Sequence, residues 1–260
     1  MNTEESLRNA REAPMNDNLD NIQFKPVWNY NYSQWFQEVQ YEDKTLSDEE
    51  RRDFVAFLDQ TIERYSEGIP LMREALENAK ELLDEYHELE RLVVSIMFFV
   101  LITMIDSLVA SKYFLLADKD YDRRFMRGKL MVILNEGFKR LYGFGTKNKD
   151  KNTKSEWAKL HPWMKRFPAV VQSQYRELSA LLKNDANSSW WKNERDFEVH
   201  LDVVNLDVSR QVVIVESKVI MDMMKLFKRL QAVNDFLSNV HTCLFNFLVG
   251  KYKRGELVEE

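Results

Sequence analysis

The chain has 260 residues, of which 45% are hydrophobic and 30% charged, and it carries a formal net charge of −5. That balance belongs to a folded protein with a real core, and excludes a disordered or collagen-like chain. Seven glycines and five prolines are too few for the many turns of an all-β fold, and the single cysteine, Cys243, excludes an intrachain disulfide framework.

Residues 1–20 are polar and charged, with no apolar stretch of the kind a secretory signal needs. With one cysteine, they lead us to expect a cytoplasmic protein. Residues 22–41 hold Trp28, Tyr30, Tyr32, Trp35 and Phe36. We read residues 1–45 as an irregular N-terminal arm whose aromatics pack on the helical body, and residues 46–260 as one α-helical domain.

The first helix signal is at Ser47, which with Glu50 makes an S-x-x-E capping box. Phe54, Phe57, Leu58, Ile62 and Tyr65 follow at helical spacing, and Gly68 ends the run. Pro70 suits the first turn of a second helix, expected from about Ile69 towards Ala117. Its stretch Leu92–Ala110 is apolar all round and long enough to cross a bilayer, but Asp106 interrupts it. We expect the buried central helix of a bundle, with Asp106 either paired to Arg123, Arg124 or Arg127 or lining a cleft, and no stable membrane insertion. A third helix is expected over about Tyr121–Tyr142, closed by Gly143 and Gly145.

Between Lys139 and Arg166 nine Lys or Arg stand against Asp150 and Glu156, a local excess of seven positive charges in an acidic chain. Lys147, Lys149, Lys151 and Lys154 concentrate it in a loop, which reads either as a solvated turn or as an anion-binding surface. Helical patterning returns over Ser155–Leu182, with breaks at Pro162 and Pro168. Asn184–Ser189 reads as a turn, and Ser188 or Ser189 as the cap of a short helix. The final helix begins after Asp207 and runs to about Val249.

The short helix would carry Arg195-Asp196-Phe197-Glu198-Val199-His200. Histidine titrates near neutrality and can move a proton, while arginine stays cationic and can hold phosphate oxygens. Asp196 and His200 are four apart, so they share a helix face and Asp196 can orient the imidazole. Arg195 and His200 are five apart, about 140° around an ideal helix, so a helix end, a distortion or a second protomer must bring them together.

This run, following Trp190-Trp191-Lys192-Asn193-Glu194, resembles the R-[polar]-x-x-x-H signature of the HEPN superfamily of helical bundles. The resemblance implies an all-α, HEPN-like bundle with long central helices. It further implies a homodimeric, metal-independent endoribonuclease, of the kind found in toxin–antitoxin and phage-defence systems. Arg195, Asp196 and His200 carry over as catalytic residues; no cofactor or metal is expected. RNA is the expected substrate, with Lys147, Lys149, Lys151 and Lys154 as contacts to its backbone. The alternative is a non-catalytic helical module that binds a protein partner, an adaptor or antitoxin-like relative.

Other candidates are weaker. Asp84 and His87 have the spacing of a metal-ligand pair but no second pair, and read as solvated surface charge. His241 lies among apolar residues and reads as a core histidine, His161 as a turn residue.

Overall fold

A computed structural model of the chain describes residues 46–78, 85–142, 155–188 and 216–253. Every regular element among these is an α-helix. The helices are α1 (Asp48–Ser66), α2 (Gly68–Asn78), α3 (Glu85–Leu116), α4 (Asp120–Tyr142), α5 (Glu156–Met164), α6 (Ala169–Ser188) and α7 (Glu216–Lys253). The expected all-α bundle with long central helices is therefore what the described residues form.

Helix α1 starts where its capping box requires. Ser47 Oγ accepts the amide of Glu50 at 3.2 Å, and the Glu50 carboxylate accepts the amide of Ser47 at 2.9 Å. Two of the orphan donors at the helix start are thereby satisfied, and Asp48, Glu49 and Glu50 complement its dipole. The chain bends at Glu67 and enters α2 at Gly68, where the two helices meet the side of α3. A Cβ on Gly68 would lie 3.4 Å from Leu101 Cδ2, so the start of α2 sits against α3 at that level.

Helix α3 is the axis of the bundle. It packs against α1, α2, α4, α5 and α7. It is also the one described helix long and apolar enough to cross a membrane, and 56% of its most apolar window is buried by the neighbouring helices. Leu89, Val93, Ile96, Val100, Met104, Leu108 and Phe114 form its inner side. Asp59 of α1 meets Lys112, while Gly68 meets Leu101, so α1 runs antiparallel to α3. Gly137 of α4 meets Thr103, and Arg140 lies over the Phe99 ring at 4.7 Å, so α4 is antiparallel as well. His241 beside Glu90 and Phe247 beside Tyr86 give α7 the same relation.

Several expectations change. Asn184–Ser189 is not a turn up to Ser188: α6 continues through Ser188, and its Asn and Ser residues are absorbed into the last turns of a helix already held by Leu178 and Leu182. Pro162 does not break the chain but sits inside α5, and the break falls at Lys165–Pro168 instead. The second expected helix is described as α2 and α3, with residues 79–84 outside the described residues. The aromatic arm, residues 1–45, is outside them too.

Asp106 is not a core ion pair. It is three residues beyond Thr103, and the antiparallel α3–α4 pairing sets it near the level of Leu134. Arg127, Arg124 and Arg123 then lie seven to eleven residues further along α4, about 10–17 Å at a helical rise. Arg123 instead donates from Nε to the carbonyl of Ala117 at 2.8 Å, closing the end of α3. Asp106 is exposed, and the apolar surface around its carboxyl raises its pKa.

Candidate functional site

The residues that the sequence marks as chemistry, Arg195, Asp196 and His200, lie outside the described residues, as do Lys147, Lys149, Lys151 and Lys154. What the structure describes is the set of helices to which these stretches are joined. Residues 143–154 connect α4 to α5, and residues 189–215 connect α6 to α7.

Those joints meet in one place. Trp157, in the first turn of α5, donates its indole N–H to Ser179 Oγ of α6 at 2.9 Å. Tyr142, at the last residue of α4, donates its hydroxyl to the Ser179 carbonyl at 3.4 Å. Both ends of the lysine-rich stretch are thus fastened to a single residue of α6, nine residues before that helix ends at Ser188. The Trp157 ring stacks on Tyr175 at 5.0 Å and meets Phe236 of α7 at 5.4 Å, so α5, α6 and α7 share one aromatic joint. Tyr175 also donates its hydroxyl to the Trp157 carbonyl at 3.2 Å.

The local reason for α5 is its cap. Ser155 Oγ accepts the amide of Ala158 at 3.2 Å, with Glu156 in the first turn. The two tyrosines of this joint are structural acids, not bases. Burial pushes the Tyr175 phenol up to about 12 and raises that of Tyr142, so both stay protonated at neutral pH.

The basic segment contracts once its described part is placed. Lys139 pairs with Glu136 at 3.4 Å and Lys159 with Glu156 at 2.9 Å. Arg166 is buried, stacked near Tyr86 and Trp163 at 5.0 and 5.5 Å, and donates to the Tyr86 hydroxyl at 3.1 Å. It is a core cation that ties the end of α5 to α3. The local positive excess therefore rests chiefly on residues 143–154.

The remaining histidines divide differently from expectation. His87 is buried, 8% exposed, where a solvated residue was expected. His241 is half-buried at the bundle edge, where a core histidine was expected, with Nε2 3.5 Å from Glu90 Oε1. His161 is exposed in the last turn of α5 rather than in a loop. Among the described residues no group of three or more His, Cys, Asp or Glu converges as a metal site. Asp84 is outside them.

Sequence reasoning missed Asp235. It sits on α7 among Val233, Phe236 and Leu237, is partly buried, and has no hydrogen-bond partner for Oδ2. Burial pushes its carboxyl up to about 6; burial likewise raises the pKa of Tyr65 on α1, and the charge of Asp235 adds to that rise. The available signal was a lone acid between the apolar pairs Ala232-Val233 and Phe236-Leu237. Cys243, four residues from Asn239 on the same helix, is buried, and burial pushes its thiol up to about 12, so it is an inert core residue.

Comparison with protein-family models, with curated proteins and with solved structures gives no match to this chain.

Proposed function

We propose that the chain is a metal-independent endoribonuclease of HEPN type that acts as a cytoplasmic homodimer, in the manner of a toxin or phage-defence effector. The observation that carries this reading is the run Arg195-Asp196-x-x-x-His200 in a chain whose described elements are all α-helical.

The chemistry needs little else. The ribose 2′-oxygen attacks phosphorus, its proton passes to the His200 imidazole, and the bond to the 5′-oxygen breaks as that oxygen takes a proton back from the imidazolium. The products are a 2′,3′-cyclic phosphate and a 5′-hydroxyl. Arg195 holds the non-bridging oxygens as charge builds on them, and Asp196 orients His200. Two protomers supply the groups that one straight helix keeps about 140° apart. The lysines at 147, 149, 151 and 154 hold the RNA backbone. This division of labour is supported by the shared anchor at Ser179, which ties the lysine-rich stretch to the helix leading into the motif.

The test is RNA cleavage by the purified full chain in the presence of EDTA. Wild type is expected to leave cyclic-phosphate ends, and His200→Ala or Arg195→Ala to lose at least about 100-fold in rate. An inactive wild type, or an active His200→Ala, would leave a non-catalytic helical module that binds a protein partner.

A further inference from the structure

Among the described residues, helix α3 is enclosed on three sides and open on the fourth. Going around it at 100° per residue, Glu90 and Tyr86 face α7, Leu101 and Lys112 face α2 and α1, and Phe99 and Thr103 face α4. Between Lys112 and Phe99 a strip remains. Ser95, Phe98, Ile102, Ile105, Val109, Tyr113 and Leu116 follow one another along it at three- and four-residue steps. Phe98, Ile102, Ile105 and Val109 are only partly buried, and Tyr113 and Leu116 are 54% and 50% exposed. Asp106 is the one acid on this face. The Lys112–Asp59 ion pair borders the strip on the α1 side, and the Arg140–Phe99 stack on the α4 side. A contiguous apolar face of this kind on the most hydrophobic helix of a bundle is a binding surface.

We propose that residues 22–41 of the same chain lie along this face. Three observations choose that occupant. The first is where the arm begins. Leu46 packs against the core immediately ahead of α1. Because α1 runs antiparallel to α3, its first turn lies beyond Lys112, at the end of the strip where Tyr113 and Leu116 are most open. The second is reach. Ser95 to Leu116 spans about 32 Å of helix, and the four residues 42–45 give about 14 Å of tether before a twenty-residue segment that can cover the whole strip. The third is chemistry. Residues 22–41 contain five Trp, Tyr or Phe between 28 and 36 and only two charges, Lys25 and Glu38, so they can cover an apolar surface without desolvating many ions. The lysine-rich 143–154 lacks that character, and 189–215 is charged at Lys192, Glu194, Arg195, Asp196 and Glu198.

The arm thus serves as the missing outer layer of the bundle, and the apolar character of Leu92–Ala110 is a property of a helix covered on all sides by its own chain. The test is photo-crosslinking in the full chain, with p-benzoylphenylalanine placed at Tyr113 and, separately, at Ile102. Tyr113 is an exposed aromatic, so that variant keeps the fold, and circular dichroism checks it. The expected adduct migrates as a monomer and maps by peptide mass spectrometry to residues 22–41. The double variant Trp35→Ala, Phe36→Ala lowers its yield about fivefold or more. A dimer-sized adduct assigns the face to a second copy and overturns the proposal. So does an adduct to any other segment, or the lack of any adduct at both positions.

Discussion

Trp157 donates its indole N–H to Ser179 Oγ at 2.9 Å, and that bond fixes the short helix α5 against α6 at the point where the lysine-rich stretch rejoins the bundle. Trp157 is 2% exposed, so both partners would be costly to leave unmatched. Trp157→Phe keeps an aromatic ring against Tyr175 and Phe236 but removes the donor and part of the ring volume. A loss of about 1–3 kcal/mol is expected, read as a lower midpoint in chemical denaturation. Ser179→Ala removes only the acceptor, and is expected to cost about 1–2 kcal/mol. The two losses should add to clearly more than the double variant shows, because they break one bond.

Neutralising Lys147, Lys149, Lys151 and Lys154 together to Ala separates binding from chemistry in the proposed RNase. The four residues form the largest block of positive charge left in the basic stretch, since Lys139 and Lys159 are ion-paired and Arg166 is buried, which leaves Arg140 and Lys165 besides. Binding of a single-stranded RNA should weaken, and the slope of log affinity against log salt should fall by about 3, the value for four released counterions. Cleavage at saturating RNA should stay close to wild type. A filter-binding series across salt concentrations, paired with single-turnover cleavage, reads both quantities. An unchanged salt slope would mean that this stretch does not touch the RNA backbone.

Asp235 gives the fold a pH signature. Its folded-state carboxyl is pushed up to about 6 by burial, above the ordinary value near 3.9 of an unfolded aspartate. The folded chain therefore binds that proton more tightly than the unfolded one. The resulting stability is fully present below about pH 4 and is lost as pH rises through 6. Partial exposure screens the effect, so its size at pH 7.5 is about 1 kcal/mol rather than the full shift. Asp235→Asn should raise stability at pH 7.5 by about that amount and leave little difference at pH 4.5. Urea denaturation of both proteins at the two pH values is the measurement, and a pH-independent difference would assign the change to packing instead.

Local rules were enough to read the bundle, because they act within a few residues. The Ser47–Glu50 box opens α1 where the sequence set it, and the helix expected over Tyr121–Tyr142 is α4; α1 stops at Ser66, one turn residue ahead of Gly68, which opens α2 instead of closing α1. Residues whose role depends on a distant partner were not legible. Arg166 counted as one more surface cation until Tyr86, eighty positions away, came to meet it. Asp106 looked like a core charge because the sequence carries no sign of which side of α3 stays open. His87 and His241 exchanged places for the same reason, their local surroundings being poor guides to which helix faces them. The proposed catalytic run is legible only as residue types at a spacing.

The α3–α4 contact offers the sharpest test of the packing. Gly137 is buried, and a Cβ placed there would come within 2.5 Å of Thr103 Cγ2. An alanine in the middle of a helix ordinarily gains about 1 kcal/mol over glycine. Here the gain is opposed by overpacking of about 1–3 kcal/mol, because Thr103 is held: its hydroxyl donates to the Phe99 carbonyl at 2.9 Å, and it is 5% exposed. Gly137→Ala should therefore destabilise the protein despite its better helix propensity. Thr103→Ser removes the clashing methyl while keeping the hydroxyl bond, so the double variant Gly137→Ala, Thr103→Ser should regain most of the loss. Thermal denaturation of the two single variants and the double variant decides it. If Gly137→Ala alone is as stable as wild type or more so, α4 does not approach α3 as closely as their shared glycine implies.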